Sequence, residues 1–84
     1  MKSLIGKKIY AIVERVEEYG LFLYQEDKKI FVDILYIEEK SIRLKDVYYL
    51  GRRVEVYIYH FLPEKKLYLG SFKDIESEDG ATNP

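Results

Sequence analysis

Eighty-four residues without a cysteine give room for one hydrophobic core and exclude both disulfide staples and thiolate metal sites. The formal net charge of −1 excludes a uniformly basic surface. The charge is unevenly placed, however: Asp74, Glu76, Glu78 and Asp79 close the chain, and over residues 1–73 fourteen bases face eleven acids. We therefore divide the chain into a mildly basic body, 1–73, and an acidic tail, 74–84. The tail has almost nothing to bury and is expected to be disordered.

Nine tyrosines and four phenylalanines, set among Val and Ile, favour strands. The first is expected over about Lys8 to Val16, with Ile9, Ala11 and Val13 on one side. Tyr19-Gly20 bends the chain into a second strand, Gly20 to Gln25. There Leu21 and Leu23 oppose Phe22 and Tyr24. After a turn at Glu26-Asp27-Lys28-Lys29, a third strand over about Ile30 to Leu35 sets Ile30, Val32 and Ile34 against Phe31 and Asp33. The alternation then breaks, and Ser41 to Val47 suits a short helical turn. From Gly51 the strand pattern restarts, with Val54, Val56 and Ile58 opposing Arg53, Glu55, Tyr57 and Tyr59. Leu62-Pro63-Glu64-Lys65 is a turn, with proline presetting φ. A fifth strand follows from Lys66 to Ser71, read with Leu67 and Leu69 inward and Lys66 and Tyr68 outward. Five short strands with an irregular crossover after the third describe an all-β, five-stranded Greek-key barrel of OB type.

Two chemistries suit outward aromatic rings: base stacking and protein contact. Tyr19 precedes a glycine in a turn, where it either stacks a ligand or covers the barrel end. Phe22 has the opposite parity to Leu21 and Leu23. Phe31 either extends a platform with Phe22 or forms a cross-strand aromatic pair. Tyr57, Tyr59 and Tyr68 share an outward parity and make a tyrosine-rich patch. Lys7-Lys8, Arg52-Arg53 and Lys65-Lys66 are basic doublets near strand starts, which either converge into a basic rim or, as is the commoner case for any one of them, are scattered solvated side chains. His60 is the one histidine and reads as surface. The sequence holds no nucleophile elbow, Gly-rich phosphate loop or second histidine, so neither enzymatic activity nor a metal or other cofactor is expected. No apolar run is long enough to span a membrane, and no signal peptide is expected. With the absence of cysteine, this fits a cytoplasmic protein.

The chain resembles the S1 RNA-binding domain family over about Gly6 to Lys73. Gly6, the block Val13-Glu14-Arg15-Val16-Glu17-Glu18-Tyr19-Gly20-Leu21-Phe22-Leu23, then Ile30-Phe31-Val32-Asp33-Ile34-Leu35, Gly51-Arg52-Arg53-Val54-Glu55-Val56-Tyr57-Ile58 and Lys66-Leu67-Tyr68-Leu69-Gly70 follow the family's patterns in order and spacing. The resemblance implies an OB barrel binding single-stranded RNA on the outer face of its second and third strands. It places Tyr19 and Phe22 at the two stacking positions and Lys66 at an arginine position. The chain departs from the family at Asp33 (usually histidine), at Leu62 (usually a loop aspartate) and at Ala11 and Ile30 (usually glycines). The RNA-binding residues expected are Tyr19, Phe22, Phe31, Asp33, Lys66, Arg53, Tyr57 and Tyr68. A ribosome or another RNA–protein assembly is the expected setting, with other protein subunits as further partners. The alternative is a protein–protein interaction module that has lost RNA binding on the same fold. A monomer is expected, with self-association through an exposed strand edge or the tyrosine patch as a weaker option.

Overall fold

The computed structural model describes residues 3–37 and 43–73. Five strands, β1 (Lys8–Glu17), β2 (Gly20–Gln25), β3 (Lys28–Asp33), β4 (Arg53–Leu62) and β5 (Leu67–Ser71), form a closed barrel in the order β1-β2-β3-β5-β4. All pairings are antiparallel except β3 with β5, which is parallel. This is the OB-type barrel expected from the strand pattern. The closed ring gives every strand two neighbours, although β1 pairs with β4 along its first half and with β2 along its second. A single helical turn, α1 (Leu44–Val47), lies in the crossover between β3 and β4. Ser41 and Ile42 of the expected helical segment, and the whole 74–84 tail, lie outside the described residues.

The core is the inward face of each alternating strand: Ala11 and Val13 of β1, Leu21 and Leu23 of β2, Ile30 and Val32 of β3, and Val54, Val56 and Ile58 of β4, closed by Ile37. Ala11 and Ile30 are buried here and contribute apolar volume to the core. Each fully buried Val, Leu or Ile contributes about 1.5–3 kcal/mol through its area.

Two β-bulges change the parity that strict alternation predicts. In β1, the register shifts between Val13 and Arg15. Alternation would put Arg15 inward with Val13; the extra residue turns it outward opposite Phe22 and brings Val16 inward opposite Leu21. In β4, the register shifts between Ile58 and His60, so that Ile58 faces Gly70, His60 faces Leu69 and Phe61 faces Tyr68.

The fifth strand therefore reverses the expected orientation. Gly70 is its inward residue, where an added Cβ would meet Val56 Cγ2 at 2.5 Å and Ile30 Cγ2 at 3.2 Å. Tyr68 shares that parity and packs against the core, with its ring 4.5 Å from Phe61. Leu67 and Leu69 are the outward residues.

The third strand is also displaced. It begins at Lys28 because Glu26-Asp27 makes the turn alone, with Glu26 in the left-handed region at φ 56. It ends at Asp33 because the Asp33 carboxylate accepts a hydrogen bond from Leu35 N at 2.9 Å and caps a 3-10 turn over Ile34–Tyr36. A short acidic side chain at that point diverts the backbone from the ladder.

Candidate nucleic-acid interface

The β1–β2 hairpin turns on Glu18-Tyr19, between the paired residues Glu17 and Gly20. Gly20 is required by a close approach: a Cβ there would meet the Val32 carbonyl and stand 2.8 Å from two atoms of the Phe31 ring. The missing side chain leaves the space that the Phe31 ring occupies beside β2.

Across β2 and β3, Phe22 and Phe31 sit directly opposite each other. Their ring centroids are 5.0 Å apart. Tyr19 completes a three-ring cluster, with its centroid 5.9 Å from Phe31 and 6.3 Å from Phe22, edge-on to the latter. Tyr19 as a residue remains 52% exposed. The guanidinium of Arg15 lies over the Phe22 ring at 4.4 Å, a cation–π arrangement worth about 0.5–1 kcal/mol at an exposed site. Arg15 Nε also reaches Glu17 Oε2 at 3.1 Å.

A groove runs from this platform along Arg15, Phe22, Lys29, Lys65 and Leu67, with Glu14 on its wall. Glu14 is neutralised locally by Lys29, 3.3 Å away. The outward parity of β5 explains the groove's apolar floor: Leu67 pairs with Lys29, and Leu69 with Phe31.

Of the eight residues expected at the site, Tyr19, Phe22 and Phe31 are brought together. Asp33 lies beside them, paired with Gly20, but its carboxylate is engaged as a cap on Leu35 N and its charge acts on Tyr59. Tyr36 and Tyr59 form a ring pair at 5.2 Å. The Tyr59 phenol is pushed up to about 12, by burial first, then by Tyr36 and by the charge of Asp33.

The other four lie elsewhere. Lys66 is not on a strand; it ends the Pro63–Lys66 turn in the left-handed region, at φ 52. Its neighbour Lys65 reaches the groove instead. Arg53 pairs with Ile12 and stacks 4.1 Å over Tyr10. Tyr57 pairs with Lys8 and lines a shallow cleft with Lys8, Glu55 and Lys73. Tyr68 faces the core.

Residue-level reading missed Arg15, named Lys65 only as half of a basic doublet, and read Leu67 as inward. The signal for Arg15 was its place in a hairpin whose inward residues, Val13 and Val16, are three apart rather than two, which betrays a bulge. Among the described residues no group of acidic or histidine side chains is arranged to hold a metal ion, and no helix is long and apolar enough to cross a membrane.

No family model matches the chain, and no curated protein matches it. Solved structures do. GSP13 from Bacillus subtilis is similar at a TM-score of 0.73 and 19% identity, over 90% of this chain and 60% of GSP13. The uncharacterized protein MJ1198 from Methanocaldococcus jannaschii is similar at a TM-score of 0.69 and 24% identity, over 89% of this chain and 99% of the MJ1198 structure. A chain of the a/eIF2alpha–aDim2p–rRNA complex from Pyrococcus horikoshii is similar at a TM-score of 0.68 and 21% identity, over 93% of this chain and 51% of that one. The chain thus spans about half to three-fifths of two of these relatives and nearly the whole of the third. At these identities the likeness establishes the shared OB barrel.

Proposed function

We propose that this chain is an S1-type module that binds single-stranded RNA by stacking bases on Tyr19, Phe22 and Phe31. The observation that carries this reading is the mutual contact of the three rings on the outer face of β2 and β3, with Arg15 seated over Phe22. A core ring needs no exposed neighbour, and a lone surface ring needs no partner. Three rings gathered outside a barrel offer an aromatic surface on which bases can stack whatever their sequence, and Lys29 and Lys65 in the adjoining groove supply cations for phosphates. Two of the solved relatives are in keeping with this: one belongs to a complex containing rRNA, and another, from Streptococcus pneumoniae, is described as a multidomain protein with nucleic acid binding domains.

Stacking is worth about 1–3 kcal/mol per base. Two or three such contacts, set against the entropy lost on association, give weak binding. A module of this strength suits an assembly, ribosomal or other, in which further contacts add avidity. The test is a titration of a labelled oligouridylate against the wild-type chain and Phe22→Ala at low and moderate salt. Wild-type binding that weakens with salt and falls in the variant supports the reading. Failure of the wild type to bind at low salt overturns it and favours a protein partner for the same face.

A further inference from the structure

Beyond Arg15 the platform groove meets a second one, lined by Glu14, Arg15, Val16, Lys45, Tyr49 and Leu50. Its far wall is built rather than incidental. Tyr49 to Arg52 form a turn closed by Arg52 N donating to Tyr49 O at 3.0 Å, with Gly51 in the left-handed region at φ 88. Gly51 N donates to Val13 O and Val13 N to Arg52 O, both at 2.9 Å, tying the turn to the bulge of β1. Arg52 also donates to Val47 O and lies over the Tyr48 ring, fixing α1 behind it. The turn thereby holds Tyr49 and Leu50 out into solvent, 58% and 67% exposed.

We propose that this second groove carries the continuation of the RNA strand bound on the platform, with Tyr49 stacking a further base and Lys45 holding a phosphate. The proposal rests on the platform reading above. Two observations favour this occupant. The grooves are continuous, sharing Glu14 and Arg15. Their combined lining sets four cations, Arg15, Lys29, Lys45 and Lys65, against the acid Glu14; Glu14 pairs with Lys29 and Glu17 with Arg15, which leaves Lys45 and Lys65 as the excess positive charge. A polyanion with flat bases complements both the charge and the exposed ring.

The experiment compares oligouridylates of about 4 and about 12 nucleotides, a span typical of one OB barrel, by fluorescence anisotropy. A longer homopolymer gains statistically from its extra registers, so the variants rather than length alone supply the readout. The double variant Lys45→Ala/Tyr49→Ala is expected to weaken the longer ligand about 5- to 30-fold and to leave the shorter one unchanged, whereas Phe22→Ala weakens both. Circular dichroism melts confirm that both variants remain folded. An unchanged affinity of the double variant for the longer ligand, or an equal loss at both lengths, overturns the extension while the platform stands. If Phe22→Ala changes neither ligand and the double variant weakens the longer, the platform reading fails and the second groove stands as a site of its own. A wild-type chain that binds neither ligand overturns both.

Discussion

The barrel has two outer faces rich in tyrosine, phenylalanine and cations, and they are organised differently. Over β2, β3 and β5, Phe22 and Phe31 are register partners and Tyr19 leans against both. Over β1 and β4, Tyr10 is covered by Arg53 at 4.1 Å, and Tyr57 stands among Lys8, Glu55 and Lys73. Period-2 alternation puts rings on both faces. Only the first has a register that makes them one surface. Outward aromatic parity thus nominates a residue, while cross-strand pairing decides whether it has company.

The harshest way to break this contrast is Gly20→Ala. The added Cβ would collide with the Val32 carbonyl and the Phe31 ring, so we expect a loss of about 3 kcal/mol, read as a lower melting temperature, and a displaced Phe31 with weakened RNA binding. Gly51→Ala is the matched control. Nothing lies within 4 Å of its Cβ, so only the left-handed backbone is strained, at about 1–2 kcal/mol. A larger shift for Gly51→Ala than for Gly20→Ala would refute the account of the platform as built on a missing side chain.

The contrast between faces is sharpened by pairing Phe22→Ala with Tyr10→Ala. The first should weaken oligonucleotide binding by about 1–3 kcal/mol and cost about 1–2 kcal/mol of stability through its lost ring and cation contacts. The second should leave binding unchanged. Equal losses in binding would show that the two faces do not differ as their geometry says.

How much of this was legible before folding depends on the backbone. Val54, Val56 and Ile58, like Leu21 and Leu23, alternate without interruption, and their burial followed from pattern alone. Tyr19, Phe22 and Phe31 lie within two residues of a turn or in uninterrupted alternation, so their gathering was readable too. Arg15 was hidden by the β1 bulge. Tyr68 was misplaced because Leu67 and Leu69 are the more apolar residues of β5, yet the close approach of Val56 and Ile30 demands a glycine inward and so sets the opposite parity. Lys66 was misplaced because its left-handed backbone keeps it in the turn and hands the groove to Lys65. The errors at Arg15 and Lys66 arise where one residue leaves regular β geometry, and a period-2 reading carries such a change through the rest of the strand.

A smaller effect is expected at Asp33. Replacement by histidine removes the cap on Leu35 N and costs about 1 kcal/mol of stability. Asp33→Asn keeps an acceptor oxygen and removes only the charge. It should tighten oligonucleotide binding by about 0.5 kcal/mol at low salt, the gain shrinking as salt rises. Weaker binding in the asparagine variant would mean that the carboxylate contacts the ligand directly, by accepting a base amino proton.

The same carboxylate is the last of several causes of an effect absent at neutral pH. The Tyr59 phenol titrates at about 12 against an ordinary value of 10.0, through burial, Tyr36 and Asp33 in that order. An acid whose folded value is raised keeps its proton in the native state while the unfolded chain has already lost it. Between pH 10 and 12 the native state therefore binds more protons, and stability falls as pH rises. The contribution is complete below pH 10 and disappears as pH passes the folded value. Denaturant melts of the wild type across this window should show a falling stability that Tyr59→Phe flattens and Asp33→Asn reduces only slightly, because burial outranks the carboxylate among the causes. An unchanged slope in Tyr59→Phe would assign the alkaline loss to other tyrosines. A slope abolished by Asp33→Asn would reverse that order and show that the carboxylate governs this end of the barrel.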